Sequence, residues 1–342
     1  MFQRKYTGLI DSLMYSRQAD FAAILKNPKK FEVQIIYTQI NRDSLNRPTL
    51  KSYYYEVDKN RYFYPASMVK LPAALLALEK INGLKAKGID KFTTMRTDSA
   101  RAPQTTVRKD TTAQGGNPSV AHYIKKMFLV SDNDAFNRLY EFIGQAYFNE
   151  HLWEKGYKDA LIIQRIHGKF DLETNRYTNP VRFVEGKKTL HRQAELHNKK
   201  QYSYPIQNPR KGKAHIDKQG KKVNQPFDFS DHNYISLQDL HDMLKAVVFP
   251  EVLPASKRFN LKPDDYQWLR TCMSAYPRES TEPAYPKKPD SFRKYLWLGN
   301  GKQPAPSAIR IFNKVGQSYG FMIDCAYIVD FEKKIEFMLS AV

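Results

Sequence analysis

Cysteine is scarce. The 342 residues hold only Cys272 and Cys325, too few for a disulfide framework or a four-cysteine zinc site. A single bridge between them stays open, and two separate buried thiols is the expectation. Long apolar runs are missing too: nothing approaches the roughly 18 residues that a membrane-spanning helix needs. Acidic residues are in deficit, 35 against 55 basic, which leaves a net charge of +20. Such a balance favours anionic surroundings (nucleic acid, acidic envelope polymers or lipid headgroups) without choosing among them. Internal repeats are absent. What is present excludes disorder of the whole chain: 42% hydrophobic and 13% aromatic residues suffice for a sizeable core. The length fits one body of two interleaved halves, or two domains.

The first 25 residues space apolar side chains by three and four, with Arg17 and Asp20 between them. This reads as an amphipathic helix and not as an export signal, which needs a continuous apolar stretch of about 7–15 residues. Residues 31–40 and 51–58 read as two strands of a hairpin. A Leu/Ala-rich segment beginning at Met68 predicts a strong helix. Residues 84–118 look polar and irregular, and helices are expected over 119–130, 134–148, 235–249 and 261–275. Residues 186–222 carry eleven Lys/Arg against Glu195 and Asp217, a net +9, and read as a solvated insertion or flexible loop. Residues 277–306 contain six prolines and read as a long irregular connector, and the end of the chain reads as a three-stranded β-meander. Strands at both ends with helices between them predict an α/β fold, an antiparallel sheet flanked by helices plus an all-helical lobe. The expected division is an α/β unit of 1–64 and 235–342, and a helical unit of 65–234 that includes the basic insertion.

Three short patterns could carry chemistry. Ser67 lies one helical turn before Lys70, so the two share a face. A lysine kept dry beside another cation is neutral near pH 7 and can take the serine proton. Ser-x-x-Lys occurs twice in the chain, about what chance gives. The second, Ser291 to Lys294, lies in the proline-rich connector, where no buried helix is expected to dry its lysine. Ser131-Asp132-Asn133 is rarer; it fits a helix N-cap or a proton relay at Ser131 with a substrate contact at Asn133. Lys314-Val315-Gly316 sits on a late strand, where a lysine at a pocket would attract an acidic substrate and a glycine would let a substrate backbone lie close.

The order of the three decides the reading. Together they are the motifs of the penicillin-recognising serine enzymes, and over nearly its whole length this sequence resembles the class A β-lactamases. The resemblance implies Ser67 as nucleophile, Lys70 as base, Ser131 as proton shuttle, Asn133 as substrate contact and Lys314 as the attraction for a substrate carboxylate. It implies an oxyanion hole of the backbone N–H groups of Ser67 and Gln317, and no cofactor or metal. The implied substrate is a β-lactam or related amide, small-molecule or peptidoglycan-like, in a periplasmic or cell-envelope setting.

The sequence departs from that pattern in three places. Valine stands where threonine is usual in the third motif. The interval from Ser131 to Lys314 is long. No glutamate falls at family spacing to activate the deacylating water: His167 or Thr178 stands there, and Glu173 would serve only with a rebuilt loop. A D-Ala-D-Ala peptidase, or another cell-wall amide or ester hydrolase with slow β-lactam turnover, is therefore the alternative within the superfamily. A non-catalytic module that docks an anionic envelope polymer through 186–222 is the alternative outside it. His191, His197 and His215 share no tight spacing with an acid or cysteine and are expected to be solvated. Tyr202 and Tyr204 beside lysines fit a polar loop better than nucleic-acid stacking. His232 and His241 are expected to cap or pack.

Overall fold

The computed structural model describes residues 8–168, 170–203, 206–217, 219–299 and 301–342. Of the amphipathic N-terminal segment, residues 1–7 lie outside the described residues, and the rest forms two helices, α1 (Leu9–Ser16) and α2 (Gln18–Lys26), which break at Arg17. The predicted hairpin follows as β1 (Ile35–Arg42) and β2 (Pro48–Tyr55). After a 3-10 turn, Ala66–Val69, comes α3 (Lys70–Asn82), in which eleven of thirteen residues are buried. A helix apolar on every face must sit inside a protein. Its Pro72 lies in the first turn, where a missing N–H breaks no helical hydrogen bond.

The segment expected to be irregular contains β3 (Thr94–Thr97). Next come α4 (Val120–Leu129), α5 (Asn133–Ile143) and α6 (Gln145–Glu154). Ser119 caps α4 by accepting from the His122 N–H, and Asp132 caps α5 by accepting from the Ala135 N–H. One helix was expected over 134–148; Gly144, at φ +83° with Leu196 pressed against its Cα, divides it in two. Further along lie β4 (Val181–Glu185), β5 (Lys188–Gln193), α7 (Leu237–Val248) and α8 (Pro263–Ser274). The meander closes the chain as β6 (Ile309–Ser318), β7 (Phe321–Asp330) and β8 (Ile335–Ala341).

Both ends of the chain share one antiparallel sheet in the order β6-β7-β8-β1-β2, with Ile35 opposite Ala341 and Lys314 opposite Cys325. Helix α7 packs on the inner face and α8 on β6, while α3 runs through the centre against α4, α5, α6 and α7. His241 on α7 is wedged between the hydroxyls of Thr38 and Ser340, each 2.8 Å away, so it packs, and its burial lowers its pKa to about 3.

The basic segment corrects its expectation. It is built rather than loose: β5 pairs with β4, and β4 with β3. Short pairings at 210–211 with 227–228 and at 215–216 with 222–223 continue it. Tyr202 donates to Glu150 at 2.6 Å and meets Trp153 edge-on, which fixes it in place; Tyr204 lies outside the described residues. His197 stacks on Tyr177, His215 holds the Gln225 carbonyl through Nδ1, and His191 lies 3.0 Å from Lys87. Cys272 and Cys325 are separate, buried thiols.

Candidate active site

Ser67 lies in the 3-10 turn that leads into α3, and Lys70 is the first residue of that helix. The turn is entered through Ala66 at φ +47°, a left-handed conformation that costs a residue with a Cβ. Lys70 Nζ is wholly buried and sits 2.8 Å from Ser67 Oγ, 2.7 Å from Asn133 Oδ1, 2.6 Å from the Ser131 carbonyl and 3.2 Å from Ser131 Oγ. Burial drives its pKa down to about 7; the Asp132 carboxylate opposes the drop and the Arg293 guanidinium adds to it.

The Ser-Asp-Asn tripeptide divides its labour. Asp132 takes the capping role weighed for the motif, and its neighbours are left for the cleft. Ser131 is held at φ +58°, and its hydroxyl stands between two amines, 2.9 Å from Lys314 Nζ and 3.2 Å from Lys70 Nζ. Lys314 is not a solvated strand residue: it is buried, donates to the Val315 carbonyl at 2.8 Å, and has a pKa well below the ordinary lysine value. Burial is the first cause, followed by the charges of Lys70 and Arg293. The structure thus gathers Ser67, Lys70, Ser131, Asn133 and Lys314 into one hydrogen-bonded group. A neutral amine against a serine hydroxyl can take its proton, and the Ser131 hydroxyl between two amines can pass one on.

Gly316 locks strand to helix. A Cβ there would lie 2.5 Å from the Pro65 carbonyl oxygen and 3.0 Å from Met68 Cγ, so β6 lies hard against the turn that carries Ser67. Gln317 follows on the exposed side, and its Oε1 accepts from the Tyr295 hydroxyl at 2.9 Å. Tyr295 in turn accepts from Arg293 Nη1 at 3.0 Å.

Sequence reasoning missed the support behind this strand. Lys294, expected to be solvated in the connector, is buried, with its pKa lowered by burial to about 7. Its Nζ donates to the carbonyls of Met273 and Ile311 and to Asn313 Oδ1. Asn313 Nδ2 donates to Asp324, whose carboxylate also accepts the N–H groups of Tyr295 and Leu296. The connector is therefore hung on β6 and β7, which delivers Arg293 and Tyr295 to the cleft. The local signal is the Ser-Phe-Arg-Lys run itself, set in a stretch whose composition reads as solvated.

Glu173 is placed otherwise than a water-activating group requires. Its side chain is 62% exposed, on a helical turn capped by Asp171, with Arg176 at 3.7 Å and His197 at 3.8 Å. Among the described residues no hydrogen bond or ion pair joins it to the Ser67–Lys70 group. The buried carboxylate of this region is Glu141, which Arg138 and Arg165 each hold at 3.0 Å. Among the described residues, no group of three or more His, Cys, Asp or Glu side chains is arranged to hold a metal ion.

The model of the β-lactamase enzyme family matches residues 17–341. The chain belongs to the β-lactamase enzyme family. Solved structures agree on the fold. A β-lactamase from Sphaerobacter thermophilus DSM 20745 is 11% identical, with a TM-score of 0.50 over 95% of this chain and 88% of that one. A β-lactamase from Francisella tularensis is 14% identical, with a TM-score of 0.51 over 94% and 87%. A comparison with curated protein sequences finds no match. Membership makes the protein a serine hydrolase of β-lactamase-like fold, and a β-lactam-type small molecule suits the family. Among the described residues no helix is long and apolar enough to cross a membrane.

Proposed function

We propose that the protein is a serine acyl hydrolase of the class A β-lactamase type, which opens a β-lactam or related amide through an acyl-enzyme on Ser67. The observation that carries this reading is the Lys70 amine, dry, 2.8 Å from Ser67 Oγ and tied to Ser131 and Asn133. Lys70 takes the Ser67 proton as Oγ attacks the carbonyl. The backbone N–H groups of Ser67 and Gln317 stabilise the oxyanion, a contribution of about 2.7–4 kcal/mol per donor in well-studied hydrolases. The leaving nitrogen receives its proton through the Ser131 hydroxyl. Asn133 contacts the substrate amide, and Gly316 leaves room for it along β6; the substrate carboxylate, once beside Lys314, offsets the burial and the neighbouring cations that depress that amine and draws a proton onto it, so that Lys314 holds the carboxylate as an ammonium. An envelope location follows from the substrate class.

The outward placement of Glu173 favours a second reading, in which acylation is efficient and release is slow: a D-Ala-D-Ala peptidase or another cell-wall amide or ester hydrolase. Incubation with a fluorescent penicillin, followed by intact-mass measurement, tests both. The expected result is one adduct on Ser67 that is lost in Ser67→Ala. Rapid release of hydrolysed penicillin selects the first reading, and a long-lived adduct with turnover of a peptide or ester selects the second. No adduct, or one that survives Ser67→Ala, rejects both.

A further inference from the structure

A buried ammonium stands behind the Ser-Asp-Asn tripeptide. Lys126 lies in the last turn of α4, and its Nζ sits between two carboxylates, 2.8 Å from Asp110 Oδ2 and 3.4 Å from Asp132 Oδ2. A lysine is seldom taken out of water unless it is paired. The Asp110 end is fixed independently. Its Oδ1 accepts from the Thr112 N–H at 2.9 Å and from the Thr112 hydroxyl at 2.7 Å, and its Oδ2 lies 3.1 Å from His122 Nε2. The other end is the middle residue of the tripeptide. Asp132 caps α5 through Oδ1 and meets Lys126 through Oδ2, so one carboxylate joins the helix cap to the ammonium.

Lys126 grips the same turn by its backbone. Its carbonyl accepts the N–H groups of Val130 at 3.1 Å and Asp132 at 3.3 Å, one on each side of Ser131. Ser131 between them has φ +58°, a left-handed conformation that a residue with a Cβ adopts at a cost. Such a conformation persists only where its surroundings impose it. Here the two N–H groups and the Asp132 carboxylate are all held by Lys126. The outcome is the placement of Ser131 Oγ, 2.9 Å from Lys314 Nζ and 3.2 Å from Lys70 Nζ. Charge follows the same line. Burial lowers the Lys70 pKa, the Asp132 carboxylate opposes the drop, and Arg293 adds to it; Lys314 also faces this amine. Around Lys126 stand Asp110, Asp132, Tyr285 and His122. The Lys126 ammonium is the counter-ion of Asp132 and screens Lys70 from that carboxylate.

We propose that Lys126 is a positioning residue for the reaction at Ser67: through Asp132 it holds the Ser131 hydroxyl between the two amines. This role rests on the acyl-enzyme reading, and one arm of the test therefore needs no substrate. Lys126→Met keeps most of the side-chain volume and removes the ammonium; Lys126→Gln is the second variant should the first not fold. In either, the plateau rate of penicillin acylation should fall about tenfold or more, and its pH midpoint should rise by about half to one pH unit. NMR titration of the lysine Cε signals, with that of Lys70 identified by its loss in Lys70→Ala, should show the same upward shift without substrate. Lys126→Arg, which keeps the charge, should restore the midpoint and most of the plateau. Asp110→Asn breaks the same buried pair but leaves Lys126 to Asp132, so it should cost stability in urea melts without raising the midpoint. A Lys70 titration unmoved in both Lys126→Met and Lys126→Gln would overturn the proposal. So would an Asp110→Asn chain that matches them in every readout, which would make Lys126 a structural ion pair only. A wild-type chain that forms no adduct on Ser67, while the Lys70 titration still shifts in Lys126→Met, rejects the hydrolase reading and keeps the link from Lys126 to Lys70.

Discussion

The Arg293 guanidinium works against the proton on Lys70. An ammonium buried beside Ser67 loses its hydration, and the nearby guanidinium raises the cost of keeping the charge, so the amine is half neutral near pH 7. The base is competent only when neutral, so the rate of penicillin acylation should rise with pH through about 7 and then level off. Removing a neighbouring cation relieves the ammonium and raises the Lys70 pKa. Arg293→Ala should therefore move the midpoint of the acylation profile upward, by about half to one pH unit, and leave the plateau of the same shape. Stopped-flow acylation rates across pH 5 to 9 (roughly the range in which such a base titrates) measure it. A midpoint that stays in place would remove Arg293 from the electrostatics of the site. Lys70→Ala should lower the plateau itself by about a hundredfold to ten-thousandfold.

At the scale of elements, β6 and the Ser67 turn must touch for the cleft to exist, and Gly316 is where they touch. Gly316→Ala would push a methyl into the Pro65 carbonyl, and backbone cannot swing aside as a flexible side chain can. The expected cost is about 1–3 kcal/mol of stability, with a larger loss in acylation, since Lys314 and Gln317 ride on the displaced strand. Denaturant melts and acylation rates on one preparation separate the two effects; equal losses would mean that strand placement does not matter to the reaction. The same junction marks how far the sequence could be read. Ser67, Lys70, Ser131, Asn133 and Lys314 sit in short patterns whose residue types announce themselves, and the helices around them follow apolar periodicity. Lys294 was misjudged because a proline-rich, charged run looks solvated, whereas tertiary contacts with Asn313 and Asp324 bury it. The β3 strand was missed because four residues in a polar stretch carry no period; β4 pairs with it from some ninety residues away. Glu173 illustrates the converse. A carboxylate near the right place in sequence says nothing about which way its turn faces.

For the whole molecule, the buried lysines govern how stability responds to alkali. Lys70, Lys80 and Lys294 are each held near a pKa of about 7 by burial. Their ordinary value is 10.5. Between those two values the unfolded chain holds protons that the folded chain has given up. Raising pH through this window therefore favours the folded state. Asp239, pushed up to about 7, and Asp324, to about 6, act in the opposite sense, but their window runs from 3.8 upward and is spent by neutrality. Above pH 10 the tyrosines of the unfolded chain begin to ionise while buried ones such as Tyr266 and Tyr276 resist to about 12, and stability turns down again. The protein should thus grow more stable from pH 7 to about pH 10, where many proteins weaken. Relief of the self-repulsion of a +20 chain pushes the same way, and one substitution separates the two causes. Lys294→Met keeps most of the side-chain volume and removes one titrating group, so the rise should shrink by about 1 kcal/mol per pH unit. The absolute stability will also fall, because three acceptors lose their donor, but the slope of urea-melt free energy against pH is the quantity that reports the lysine. A slope identical to that of the parent would mean that Lys294 keeps its proton in the folded chain, and that the rise comes from net charge alone.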